Sequence, residues 1–561
     1  MVVSGTKQLP ETYQLWRWFK FPMESGSKDA IAVPATFASQ LTAAYAIMMT
    51  MILGNFWTIV ICVIVYFNWH KSTRLRPHPL FPTLWNQKAE LFSSITETFK
   101  YSRRSWSNRE DAKIHKDNIW LIPLLFLVSS VCVGQKFMEI LVPPLLTLGA
   151  AAPVNPDAIY FPRGYTEGES YQVTATRSIL ETPWALRALG SVDLGNKELR
   201  EKVSVSEALS NGVWASDKPI QRVNYAYKVT GVDLGLQRYP TLLLSVTGSC
   251  VTEYGWFNGT DRETPDLLID RYNRFGNASV PVDVSILDGR ATVGRFFLGK
   301  LALEGTLKDS NATWSAFVSS VQRKSFSSSS DPWYFTDKIA TEKTGADYIV
   351  KEERPALSCW QDDVWSYNGR ISTVVGLNSK MLPGLELSVA MQEALSLNLN
   401  APMIQQIGQS LGPSSLKSAT STIGQIFSAK DSGFQKDLER LVLASYIATT
   451  NILTDSTQYP AGAERELENL SRGADGKIKD GVADFIVFSS DVSALSMAVV
   501  IAIPVLLIVT WWLSYFLLRC TRFGIVESLN SNHMFQVLTT KHDEADKLID
   551  GKSPTTAWRL D

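Results

Sequence analysis

The segment Cys359-Trp360-Gln361-Asp362-Asp363-Val364-Trp365-Ser366-Tyr367 sets two acids among three aromatics. Aromatic faces beside carboxylates are suited to holding sugars, and two acids a fixed distance apart can hydrolyse a glycosidic bond. Neighbouring residues of a strand point to opposite faces, so Asp362 and Asp363 make a poor catalytic pair if this segment is extended. Trp360, Asp362, Asp363, Trp365 and Tyr367 are therefore read as candidate ligand-binding residues, with carbohydrate as the ligand, and no catalytic residue is assigned.

Other chemistry is excluded by what the long middle of the chain lacks. The five histidines are His70, His78, His115, His533 and His542, and none falls between residues 149 and 491. That removes Ser-His-Asp and Cys-His nucleophiles and histidine zinc sites from the one segment long enough to hold an active site. No GxxxxGK[ST] phosphate loop and no dinucleotide fingerprint occurs. Neither a metal nor a cofactor is expected, and the net charge of −1 gives no case for nucleic acid.

Two cysteines in this middle stretch, Cys250 and Cys359, have only each other, since Cys62, Cys132 and Cys520 lie in or beside apolar segments. An oxidising compartment would join them and close a long loop. Four glycosylation sequons, at Asn258, Asn277, Asn311 and Asn469, fall in the same stretch and nowhere else.

The elements that must carry these groups begin with membrane anchors. The chain has 561 residues, of which only 19% are charged, against about a quarter in soluble proteins. Residues 41–69, 119–148 and 492–518 read as three transmembrane helices. The loop from Lys71 to Asn118 carries ten positive and five negative residues, so it should be cytoplasmic. The expected layout is an outer N-terminal tail at 1–40, a basic cytoplasmic loop at 70–118, an outer domain at 149–491 and a cytoplasmic tail at 519–561. No cleavable signal is expected before the first span, and Trp16, Trp18, Phe19 and Phe21 are expected to rest at the outer interface. Leu84, Leu91, Phe92, Ile95 and Phe99 share one helical face that suits the inner leaflet of the lipid bilayer.

Small residues recur every fourth position in each span: Thr42, Ala46, Thr50, Gly54 and Thr58, then Ser130 and Gly134, then Ala494, Ala498 and Ala502. Such faces let helices approach closely, within one chain, in a homo-oligomer or against a protein partner.

The outer domain reads as α+β. Val223, Tyr225, Tyr227 and Val229 alternate as a strand, as do Val280, Val282, Val284 and Ile286, and Asp288-Gly289 predicts a hairpin into Val293–Phe296. Apolar spacing of three and four predicts helices over Pro383–Leu397 and Gly433–Leu453, while Ser325–Ser330 and Gly412–Thr422 read as exposed loops.

Across Arg354–Gly369, RPALSCWQDDVWSYNG, and in its order of basic loop, span and sequon-bearing domain, the chain resembles uncharacterised multi-pass membrane proteins of filamentous fungi. The resemblance implies a cell-surface or secretory-pathway setting and supplies no activity. Three functions are ranked: a non-enzymatic membrane glycoprotein that binds a ligand, wall polymer or partner; an accessory subunit of a transport or biosynthetic complex; and a surface carbohydrate-active enzyme using carboxylates.

Overall fold

The computed structural model describes residues 9–71, 99, 126, 129–130, 133–134, 137 and 144–521. The last range is interrupted at 165–169, 196, 208, 216–217, 265–266, 275–280, 288–291, 300–310, 340–345, 353, 424–425 and 460–466. The described residues fall into two compact units, one within Met1–Ala32 and Ala150–Val492, the other within Val33–Gly149 and Ser493–Asp561.

The first unit starts with residues expected to be a tail. Strand β1 (Trp18–Phe21) pairs antiparallel with β2 (Lys28–Pro34), which buries Phe19, Phe21, Ala30 and Ala32 and leaves Trp16 and Trp18 exposed. Upstream, Tyr13 bridges Val154, and the Asn155 amide donates to the Glu11 carbonyl at 2.9 Å. Residues 9–32 are thus a folded part of the body rather than a free segment.

In the second unit β2 runs into α1 (Ala35–Lys71), six residues earlier than the apolar run suggests. Strand β3 (Thr147–Gly149) closes the described part of the unit's first stretch.

Back in the first unit come β4 (Ala151–Pro153), α2 (Tyr171–Asp193) and the short α3 (Lys197–Lys202). The Ser170 hydroxyl caps α2 by accepting from Val173 N, and the helix continues through Pro183. Strands β5 (Val203–Val205), β6 (Leu209–Ala215), β7 (Lys218–Thr230) and β8 (Leu243–Glu253) lead to β9 (Phe257–Thr264), β10 (Leu267–Asn273) and β11 (Pro281–Leu287). Next are β12 (Val293–Leu298), β13 (Asn311–Ser319), the short β14 (Lys324–Ser325), β15 (Thr336–Lys338) and β16 (Tyr348–Val350), then the long β17 (Ala356–Tyr367) and β18 (Arg370–Ser372).

One eight-stranded sheet organises the unit. Its path runs β12-β13-β17-β8-β7-β5, with β6 also on β7 and β18 on β17, and the registers are antiparallel throughout. A three-stranded sheet, β11-β10-β9, forms a second core in which Tyr272, Val284 and Ile286 meet Phe317 of β13. Strands β11 and β12 therefore go to different sheets, and the expected Asp288-Gly289 hairpin does not join them. Each strand alternates faithfully, but alternation alone does not say which neighbour a strand takes.

Helices cover one face of the large sheet: α4 (Val389–Leu399), α5 (Met403–Leu411), the single-turn α6 (Lys417–Thr420) and α7 (Phe434–Asp455). Helix α4 starts six residues later than Pro383, capped by Ser388. At Gly408 a β-carbon would strike the Phe296 ring at 2.4 Å, so only glycine lets α5 lie this close to β12.

Helix α7 is the core element, with Leu438, Leu441, Val442, Tyr446, Ile447 and Leu453 buried on all sides. Its N-cap, Gly433, has no side chain to offer, and Asp331 accepts from Phe434 N at 3.0 Å instead. Arg440 donates to the carbonyls of Ser414, Ser415 and Leu416 and pairs with Asp193 at 2.6 Å. Those bonds bury Ser415, Leu416 and Ser418, so Gly412–Thr422 is packed structure and not the exposed loop its composition suggests. Two-residue strands β19 (Thr422–Ile423) and β20 (Ile426–Phe427) and the strand β21 (Ile486–Phe488), paired with β4, complete the unit.

The second unit resumes with β22 (Val492–Ser496) and α8 (Met497–Thr521), so the third apolar window opens as a strand. Two helices among the described residues, not three, are long and apolar enough to cross a membrane: Ala35–Val63 and Met497–Arg519. Most of 119–148 and the amphipathic stretch 84–100, apart from Phe99, lie outside the described residues. Two apolar helices together with a disulfide point to the secretory pathway or a membrane.

Candidate functional site

Strand β17 carries the predicted cluster through the middle of the large sheet, with β8 on one side and β13 on the other. Its register sets Cys359 directly across from Cys250, Cα to Cα 4.1 Å, and the two form the disulfide expected from the cysteine count. The pair lies in the core, both residues almost fully buried.

Alternation then divides the cluster. Cys359, Gln361, Asp363, Trp365 and Tyr367 share the face covered by helices, whereas Trp360 and Asp362 share the other. Trp365 is 1% exposed and belongs to the core, while Trp360 is 43% exposed. The five candidate residues do not form one site: Trp360 and Asp362 stay together, and Asp363, Trp365 and Tyr367 are taken up by packing.

The inner half is a buried polar chain. Gly248 of β8 leaves room for the Tyr225 ring, which a β-carbon there would meet at 2.1 Å. Tyr225 crosses this gap to donate to Gln361 Oε1 at 2.9 Å, and Gln361 Nε2 donates to both carboxylate oxygens of Asp363, at 2.8 and 3.1 Å. Burial pushes the Asp363 carboxyl up to about 7, with the Gln361 bond opposing and the Asp362 charge adding to the rise. Tyr367 stands edge-on to Tyr239, ring centres 6.0 Å apart.

The outer half is partly open to solvent, with Ser249 buried within it. Across the strands, one row reads Asn224, Ser249, Trp360 and Thr313, and the next reads Ala226, Thr247, Asp362 and position 311. Asn224, Thr247 and Trp360 are exposed, whereas Asp362 is half-buried and keeps one carboxylate oxygen, Oδ1, without a hydrogen-bond partner. An aromatic plane ringed by hydroxyls, an amide and an acid can stack on the apolar side of a sugar ring and bond its hydroxyls.

A recess that sequence reading missed lies between α2, the start of α5 and the end of α7. Phe161, Trp184, Asn398, Gln406, Asp455 and Tyr459 are among the residues lining it. Asp455 pairs with Arg187 at 2.5 Å, burial raises its carboxyl to about 6, and burial likewise raises nearby Glu181 to about 7. The cavity is only about 20 Å³, room for a single water, and its amides are occupied, since Gln406 donates to the carbonyls of Asn398 and Ala401. The sequence signal for it was the helix capped by Ser170, obscured by Pro183.

The sequons differ in setting. Asn258 is exposed on β9, and Thr260 of the same sequon donates to buried Asp270 at 2.6 Å. Asn311 takes the register position opposite Asp362, and Asn277 lies outside the described residues. Asn469 acts as a clamp, its Nδ2 donating to the Ile159 carbonyl and its Oδ1 accepting from Phe161 N, Ser471 N and the Ser471 hydroxyl. Among the described residues, no group of three or more His, Cys, Asp or Glu could hold a metal ion.

No curated protein and no solved structure matches the chain. One family profile matches residues 182–487, a span that includes all of β17, most of α2 and all of α7. Since this is more than half of its length, the chain belongs to that family, described as a domain of unknown function, DUF8406.

Proposed function

We propose that the chain is a three-span, non-enzymatic membrane glycoprotein whose outward-facing segment 149–491 binds a neutral wall polysaccharide across the outer face of its large sheet. The observation that carries this reading is the exposed Trp360, with exposed Asn224 and Thr247 on the neighbouring strands of the same face and half-buried Asp362 two residues along. Hydrolysis draws no comparable support, because Asp362 and Asp363 sit on opposite faces and Asp363 is held inside by Gln361.

The third span is supported by connectivity. Helices α1 and α8 run in the same direction, since Tyr45 meets Val500 and, further along both, Met51–Thr58 meets Leu507–Trp511. Strand β3 pairs with β22, which opens directly into α8. A chain that leaves the far end of α1 must therefore travel back before Thr147, and in a membrane that return needs a helix.

The test is co-sedimentation of the full glycoprotein, in mild detergent, with insoluble chitin and β-glucan. The wild type should sediment with one of them, and Trp360→Ala should weaken the binding at least about tenfold, as loss of an aromatic anchor does. Equal binding by the variant would remove this face from the proposal. The second reading, an accessory subunit of a membrane complex, draws on the open groove between α1 and α8, and predicts co-isolation with a fixed partner.

A further inference from the structure

Helix α2 carries its charges on the side of the body. Arg177 is buried and donates to the carbonyls of Arg163 and Gly164, Glu181 is half-buried, Arg187 pairs with Asp455, and Asp193 pairs with Arg440. Facing solvent instead are Tyr171, Ile179, Leu186 and the C-cap residue Leu194, all exposed. A surface helix shows the reverse pattern, apolar inward and charged outward. Such a face suits a partner as uncharged as itself, because the helix has spent its own charges within the fold.

The spacing of the row says which partner. About the Thr182–Pro183 peptide bond it reads the same from either end: Ile179 and Leu186 stand equally far from that bond, as do Ala175 and Gly190, and Tyr171 and Leu194. On a helix advancing 100° per residue the row keeps to a band about 140° wide, with Ile179 and Leu186 closest to its midline. A β-carbon at Gly190 would meet nothing within 4 Å, so this small position lies open. Turned end for end about a twofold axis at the central bond, a second α2 brings Leu186 against Ile179, Gly190 against Ala175 and Leu194 against Tyr171. An unrelated protein has no use for that symmetry, whereas a twofold interface sets one patch against itself.

We propose that two copies of the chain pair through α2, antiparallel about a twofold axis beside the Thr182–Pro183 bond. The pairing belongs to the body and not to the spans, and it stands whether or not Trp360 binds a polysaccharide. Its area is modest, since 23 residues at about 1.5 Å each make a face about 35 Å long and about 10 Å wide, or roughly 700 Å² over both copies. Stable complexes bury at least about 1,200 Å². On the membrane reading, anchoring in one bilayer supplies the local concentration that so small a contact needs.

Cysteine cross-linking of the full chain in membranes tests this, in a Cys62→Ser, Cys132→Ser, Cys520→Ser background that keeps Cys250 and Cys359. A chain with Ile179→Cys and a differently tagged chain with Leu186→Cys, made together, should be joined by mild oxidation. Either variant made alone should stay single, because its two cysteines would stand about 10 Å apart along the helix axes. Self-joining of the single variants would mean a parallel pair, and failure of the mixture to join would mean no pair; both overturn the proposal. Leu186→Arg provides a check without cysteines. Fluorescent proteins fused after Asp561 should transfer energy between wild-type copies, and Leu186→Arg should weaken that association at least about tenfold. Transfer that is absent in the wild type, or unchanged in the variant, overturns this face as the contact. The variant should also unfold at the wild-type temperature, as for other surface changes. A large fall would place Leu186 in the core and overturn the proposal equally.

Discussion

Trp360 and Trp365 are five residues apart on one strand and have opposite fates. Trp365 is sealed under the helices, and Trp360 stands in solvent on the other side of the sheet. The contrast extends to the acids beside them: Asp363 is tied to Gln361 in the interior, while Asp362 borders the open face with one oxygen unpartnered. Residue type therefore says little about role here, and the side of the sheet says most. The inner row belongs to the core, whereas the outer row leaves Trp360 in solvent.

The largest test of that division is Trp365→Ala, which should cost about 3–5 kcal/mol of stability by emptying a large buried volume. It should lower the unfolding midpoint in urea without altering the outer surface. Replacing both Cys250 and Cys359 with alanine should cost about 2–5 kcal/mol by releasing a long loop in the unfolded chain, read by the same denaturation series. Tyr225→Phe removes the donor to a buried amide oxygen and should cost about 1–2 kcal/mol.

A pH series separates the faces next. The folded Asp363 carboxyl sits near 7, above its ordinary value of 3.8. Its contribution is complete below about pH 4 and declines as pH rises towards 7, because the unfolded chain gives up its proton first. Glu181 and Asp437, near 7, and Asp331 and Asp455, near 6, act in the same sense. The body should therefore unfold at a higher temperature at pH 5 than at pH 8, and Asp363→Asn should reduce that difference. The smallest effect on stability is expected from Trp360→Ala, about 0.5 kcal/mol or less as for other surface changes. A loss comparable to that of Trp365→Ala would erase the distinction between the faces.

What could be read from the residues alone tracks how local each signal is. Cys250 and Cys359 were paired by elimination, the strand through Val223–Val229 by alternation, and α7 by the spacing of Phe434, Leu438, Leu441 and Tyr446. The Asp288-Gly289 turn misled because a strand's periodicity does not name its neighbour, and here the chain changes sheets at that point. Gly412–Thr422 looked like a loop by composition, yet Arg440, distant in sequence, binds its carbonyls and draws it inside. The site was legible only in part. Alternation separated Asp362 from Asp363, but nothing local showed that Trp365 would be covered and Trp360 left bare.

The early chain's place in the body has a practical meaning. Residues 9–32 hydrogen-bond to the same unit as residues 150–492: the Ser27 hydroxyl donates to the Gln237 carbonyl at 2.6 Å, and Gln14 N donates to the Pro153 carbonyl at 2.9 Å. A secreted fragment trimmed to begin at 150 would lose these bonds and with them one of its own seams. Conversely, a fragment that keeps residues 9–32 together with 150–492 should retain that seam and resist unfolding better than one that begins at 150.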